Sequence, residues 1–185
     1  NLIMMGPHLT AVTDMLGAII INDDTLEYFA KYPFSDGKLD MISSAHPFSS
    51  SGSHLQYNYK AEMVPEKKYK FYYIDTTKEE PYKREYFFEI EVDKISYIHS
   101  FGSTDKYIIF VVYPFYWNIE KIITEVEILP TMNWVNTDKT KIYVINKNER
   151  RLDGYFEVEP FFSFHHINSY EKNNEIYFDM IRSEE

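Results

Sequence analysis

The side chains here with the widest chemistry are six histidines, His8, His46, His54, His99, His165 and His166. Neutral imidazole is the commonest protein metal ligand and a common general acid or base. A histidine taken singly is most often a surface residue or a satisfied core residue, so residue type alone decides nothing. Setting separates three of them. His46 (Ile42-Ser-Ser-Ala-His46-Pro47), His99 (Ile95-Ser-Tyr-Ile-His99-Ser-Phe-Gly102) and His165 (Phe161-Phe-Ser-Phe-His165-His166) each flank an apolar, extended-looking run. The steps from 46 to 99 and from 99 to 165, 53 and 66 residues, are long for a zinc finger. They suit one ligand from each of several β units about a common axis, since propeller blades run about 40 to 50 residues before insertions. His165 and His166 are neighbours in an extended run and face opposite sides, so at most one of them serves a shared metal.

The elements that must position these residues read as strands. Aromatics make up 18% of the chain, and aromatic and β-branched residues suit a pleated, half-buried surface. Strands are expected at Gly17–Ile21, Tyr69–Ile74, Tyr86–Val92, Lys106–Tyr113, Lys141–Asn146 and Glu175–Ile181. Lys106–Tyr113 is nearly continuous in apolar residues, the pattern of a strand buried on both faces. Turn signals separate these runs at Ser35-Asp36-Gly37, Ser49–Ser53, Asp75–Thr77, Gly102–Asp105, Lys147–Glu149 and Lys172–Asn174. One helix is expected over Asn118–Leu129, where Ile119, Ile122, Ile123 and Val126 recur at three- and four-residue steps and Pro130 stops it. No linker or internal repeat is visible, and the 185 residues are expected to form one domain. Asn1 and Glu185 read as cut ends, so the domain is expected to be truncated at both.

Composition excludes several function classes. Nineteen basic and 29 acidic residues give a net charge of -10 without a basic stripe, which repels a phosphate backbone and argues against nucleic-acid binding. Cysteine is absent, which removes disulfide scaffolds, thiolate zinc sites and cysteine nucleophiles and fits a reducing, cytoplasmic compartment. No apolar run approaches the length of a membrane span.

Three segments together carry a resemblance. Ser44-Ala-His46-Pro47, Tyr97-Ile-His99-Ser-Phe-Gly-Ser-Thr104 and Phe164-His165-His166-Ile-Asn168-Ser-Tyr-Glu171 resemble, in order and approximate spacing, motifs of the carotenoid cleavage oxygenase family, in forms closest to its animal branch of carotenoid oxygenases and retinoid isomerohydrolases. Asp24-Thr-Leu-Glu27 and the stretch Lys106–Trp117 with its following helix are similar to that family as well. The resemblance implies a mostly β fold, part of a seven-bladed β-propeller with one short helical insertion and iron(II) on its axis. It implies that His46, His99 and His165 are three of four histidine ligands, that His166 is structural, and that the fourth ligand lies outside these residues.

The implied activity, in the intact parent protein, is oxidative cleavage of a carotenoid or apocarotenoid double bond by dioxygen at a non-haem Fe(2+) centre. The fragment alone is expected to be inactive. Two alternatives accompany it: retinyl-ester isomerohydrolysis at the same metal, and a non-catalytic propeller relative that binds an apolar ligand. Neutral imidazoles suit iron(II), leave coordination positions open and add no negative charge. Each ligand's other ring nitrogen needs a partner to fix its direction. The family's glutamate for that task aligns with Asp14, one methylene shorter, so Asp14 is the expected second-shell residue, with a surface-turn aspartate as the competing reading. The run Phe48-Ser-Ser-Ser-Gly52 also departs from the family's usual polar or basic residue after His-Pro. A rival site, the two-histidine-one-carboxylate triad of His46, His99 and Asp14, leaves His165 unexplained. The partners implied are an apolar polyene or retinoid, O2, and peripheral contact with a membrane through Tyr113–Trp117 and Ile119–Leu129. The acidic Glu120, Glu125 and Glu127 oppose attraction to anionic lipid.

Overall fold

A computed structural model of the chain describes residues 1–15, 17–37, 42–78, 82–125 and 127–183, with the side chains of Ile119 and Ile123 outside the description. It is mostly β, and it divides into two compact units.

The first unit takes in Asn1–Glu62 and Tyr69–Ile90. One four-stranded antiparallel sheet runs in chain order: β1 (Leu2–Met5), β2 (His8–Val12), β3 (Ala18–Ile21) and β4 (Tyr28–Lys31). A second four-stranded sheet is β5 (Ile42–Ser43), β6 (Leu55–Glu62), β7 (Lys68–Asp75) and β8 (Glu85–Glu91). Met5, Val12, Ala18 and Ile20 of the first sheet pack with Tyr32, Tyr72 and Ile74 into one apolar cluster. At its rim the Arg84 guanidinium lies 4.1 Å from the centre of the Phe34 ring and grips Asp36 with Nε at 3.0 Å and Nη2 at 2.5 Å. The expected turn at Ser35-Asp36-Gly37 is therefore anchored through its aspartate, and Gly37 supplies the left-handed φ of 61° that a side chain would resist.

The second unit takes in Met63–Lys68 and Glu91–Glu185. Its main sheet contains β9 (Gly102–Ser103), β10 (Tyr107–Val112), β13 (Thr140–Asn146) and β14 (Arg151–Val158), in the order β14-β13-β10-β9. Ile108, Ile109, Phe110 and Val111 of β10 are completely buried, as its unbroken apolar run requires. Between β10 and β13 lie β11 (Phe115–Trp117), the helix α1 (Ile119–Thr124) and β12 (Met132–Trp134), with β11 paired to β12. The chain ends in a hairpin of β15 (His166–Lys172) and β16 (Glu175–Met180). Its two-residue turn places Asn173 and Asn174 at φ of 53° and 62°, the conformation asparagine tolerates best after glycine. Each four-stranded antiparallel sheet has the build of a propeller blade.

The helix is shorter than its sequence period suggests. Asn118 caps α1 by accepting from the Lys121 N–H, and by Glu125 the backbone is extended, with φ of -97° and ψ of 143°. Leu129–Thr131 forms a separate 3-10 turn around Pro130. Four of the six residues of α1 are β-branched, which weakens propagation. Val126, part of the expected helix, lies outside the described residues.

Candidate metal centre

His46 leaves the first unit's second sheet at the end of β5. Ile42, Ser43, Ser44 and Ala45 are buried, and His46 is partly buried. The backbone here is fixed from several directions. Asn58 donates its amide to the Ser44 carbonyl at 3.0 Å. The Asp14 carbonyl accepts from the Ser43 N–H at 3.0 Å, and its carboxylate Oδ1 accepts from the Ala45 N–H at 2.9 Å. Asn1 donates to the Ala45 carbonyl at 3.1 Å, and the same nitrogen stands 3.5 Å from His46 Nδ1. Asp14 therefore grips the residue just before the histidine through its main chain.

His99 and His165 belong to the second unit. Ser96 bridges Tyr116, the Tyr97 N–H donates to the Phe115 carbonyl at 2.8 Å and the Trp117 N–H to the Ile95 carbonyl at 2.9 Å. Ile98 is completely buried. Tyr97 and His99, on either side of it in the chain, meet, with the phenol oxygen 3.3 Å from His99 Nδ1. The His99 and His165 rings lie 4.9 Å apart, nearly perpendicular at 85°. Phe164 stands edge-on to His99 at 5.9 Å and to Phe162 at 4.7 Å, while Tyr97 stacks on Phe162 at 6.0 Å. The His165 carbonyl accepts from Ser163 Oγ and from the Ile181 N–H, both at 3.2 Å.

His166 occupies the opposite face, with its ring near Phe178 and its Nδ1 at 3.2 Å from Ser100 Oγ. Burial pushes its pKa down to about 4, so it is neutral at ordinary pH. His8 Nε2 is 3.0 Å from the Tyr82 hydroxyl and His54 is 3.9 Å from the Asp75 carboxylate.

The second unit brings the His99 and His165 rings together, while His46 is held in the first. Three neutral imidazoles fit a borderline divalent cation, the class that includes iron, zinc, nickel and copper. Ser100 and Tyr97, both within the motif around His99, have roles that residue type and spacing do not announce. The Ser100 partners Phe164 and His166 come from far along the chain, and the Tyr97 contact with His99 depends on a local backbone course that residue types alone do not reveal.

The sequence model of the family described as RPE65, retinal pigment epithelial membrane protein, matches residues 1–185. The chain is 27% identical over 202 residues to mouse beta,beta-carotene 15,15'-dioxygenase, covering all of this chain and 36% of that protein. Among solved structures, cobalt-substituted Synechocystis apocarotenoid oxygenase superimposes with a TM-score of 0.78 at 18% identity, over 98% of this chain and 39% of that one. Pseudomonas brassicacearum lignostilbene dioxygenase gives 0.76 at 18% identity, over 97% and 37%. At that identity the structural likeness establishes the fold. Among the described residues, no helix is long and apolar enough to cross a membrane.

Proposed function

The chain belongs to the retinal pigment epithelial membrane protein family, and from that premise we propose that the whole protein cleaves a carotenoid or apocarotenoid double bond with dioxygen, using iron(II) held by His46, His99 and His165. The single observation that carries this reading is the meeting of the His99 and His165 rings at 4.9 Å, nearly perpendicular, in a chain matched by the family over residues 1–185. The dioxygenase name of the mouse relative supplies the substrate class. The chain spans 36% of that relative, so the activity is assigned to the whole protein, with further ligands drawn from outside these residues.

Iron(II), when bound, supplies the redox reaction with dioxygen that no side chain can perform. The rest falls to the chain's own residues. Three uncharged donors leave the dication's charge undiminished. The Tyr97 hydroxyl at His99 Nδ1 orients that ring. Tyr97, Phe162 and Phe164 set aromatic surface beside the His99 and His165 rings, which suits an apolar polyene. Asp14 steadies the His46 segment through Ala45. Ile128 and Leu129, 53% and 71% exposed, are the side chains offered to a membrane surface, whereas Trp117 is buried at 7% and takes no part in that contact.

The test uses the full-length protein, purified without oxygen, loaded with iron(II) and given β-carotene or an apocarotenal under isotopically labelled dioxygen. Labelled aldehydes that require iron are the expected result. Stoichiometric iron without cleavage, but with isomerised retinol released from retinyl ester, would move the assignment to isomerohydrolysis. Failure to retain iron would leave a non-catalytic binder of apolar ligands.

A further inference from the structure

Resting on that metal-binding reading, we propose that Ser100 is a positioning residue: its hydroxyl fixes the placement of His165 relative to His99, and thereby the spacing of two of the metal's ligands. Ser100 directly follows His99 in the chain and is 4% exposed. Its Oγ donates to the Phe164 carbonyl at 2.6 Å and accepts from the His166 N–H at 2.9 Å. Those two groups belong to the two peptide units on either side of the His165 Cα. Holding both fixes the direction in which the His165 side chain leaves the backbone. The anchor is the residue that carries on from His99, so the clamp sets one ligand against the other across 64 to 66 residues of chain.

The third contact completes the argument. A hydroxyl has one hydrogen and two lone pairs. The hydrogen is committed to the Phe164 carbonyl and one lone pair to the His166 N–H. His166 Nδ1, 3.2 Å away, therefore donates to the second lone pair, which makes His166 the Nδ1–H tautomer. Its Nε2 is buried without a hydrogen-bond partner. Ser100 thus saturates all three of its bonding positions on the segment Phe164–His166, and His166 serves as the clamp's lower jaw. Alanine at position 100 would leave a carbonyl, a main-chain N–H and a ring N–H unpaired at once, and would free the His165 peptides.

The two segments also meet farther along, where Thr104 Oγ1 donates to the Glu171 carboxylate at 2.6 Å. That bond provides a control, since it braces the same strands without touching the peptides of His165. Cobalt(II) binding to the full-length apoprotein is measured against a competing chelator and by its visible spectrum, alongside thermal unfolding of the metal-free form. Ser100→Ala is expected to weaken cobalt binding about 10- to 100-fold, the usual effect of removing a support behind a metal ligand, and to alter the cobalt spectrum. Ser100→Thr keeps the hydroxyl and recovers most of the affinity. Thr104→Val lowers the unfolding temperature and leaves cobalt affinity at the parent value. If Ser100→Ala fails to fold, Ser100→Cys, which keeps the size but bonds weakly, takes its place with the same expected loss. Equal cobalt affinity in parent and Ser100 variants overturns the clamp while leaving the metal reading intact, and so does an equal loss in Thr104→Val. A parent protein that binds no cobalt removes both.

Discussion

Asp14 shows at single-residue scale how the site is supported. Its Oδ1 accepts from the N–H of Ala45, which is 5% exposed. Asp14→Ala leaves that N–H buried without the carboxylate and is expected to cost about 1–3 kcal/mol in urea unfolding of the full-length protein. Asp14→Asn keeps an oxygen acceptor and is expected to retain most of the stability. Equal stability of the alanine variant and the parent would assign the bond no role. Lys147 makes a second prediction. Its ammonium donates to Ser103 Oγ at 3.2 Å and to the Thr104 carbonyl at 2.6 Å. Burial pulls its pKa down to about 8 from 10.5, against the opposing pull of Asp105 and Glu171. The unfolded chain therefore binds more protons between about pH 8 and 10.5, and stability must rise with pH through that window. Lys147→Met should flatten this rise in urea titrations on the alkaline side. The three histidine segments could be singled out in the sequence because each carries its own local motif. Ser100 and Lys147 could not, because a serine or lysine gains its role only from partners brought in by folding.

At the scale of elements, burial on both faces made some strands easy to read, although the more exposed β8 and β16 were read as well. The runs that became β7, β10 and β13 are apolar enough to announce themselves, and β10 holds four completely buried residues in succession. Strand β6 (Leu55–Glu62) went unread because it buries Asn58 and Lys60, polar residues that sequence pattern assigns to loops. The Asn58 amide is satisfied by the Ser44 carbonyl and the Lys60 ammonium by Glu62 at 3.2 Å, and burial is tolerable only with such partners. Strand β14 is exposed along most of its length, so no alternation marks it. The close approach of β9 to β15 rests on a glycine. A Cβ on Gly102 would stand 2.6 Å from Ser169 Oγ and 3.3 Å from Ile109 Cβ. Gly102→Ala is expected to destabilise by about 1–3 kcal/mol through overpacking. Adding Ser169→Ala removes the nearer clash and should recover part of that loss in a double-mutant cycle. Strict additivity of the two changes would show that the strands do not meet as described.

For the molecule as a whole, exposed apolar surface and net charge act in opposition. Leu26, Phe29, Phe156 and Ile167 are each more than half exposed, and so are Leu129 and Ile181. Apolar side chains in such numbers favour association, and the outer edges of the two-stranded sheet β15-β16 add unpaired main-chain groups within the described residues. Against this stands a net charge of -10, which keeps copies of the 185-residue chain apart over roughly 10 Å at 0.1 M salt. The balance has a definite sign. Added salt shortens the reach of the repulsion while leaving apolar attraction in place, so light scattering by the isolated chain should increase with salt concentration. Lowering the pH to the isoelectric point near 5.1 removes the net charge itself and should act in the same direction at constant salt. Bis-ANS, a dye that binds exposed apolar surface, should bind the dispersed chain at low salt. Scattering that instead decreases as salt is added would mean that ion pairs, not apolar faces, hold the copies together, because only an attraction between charges is weakened by screening.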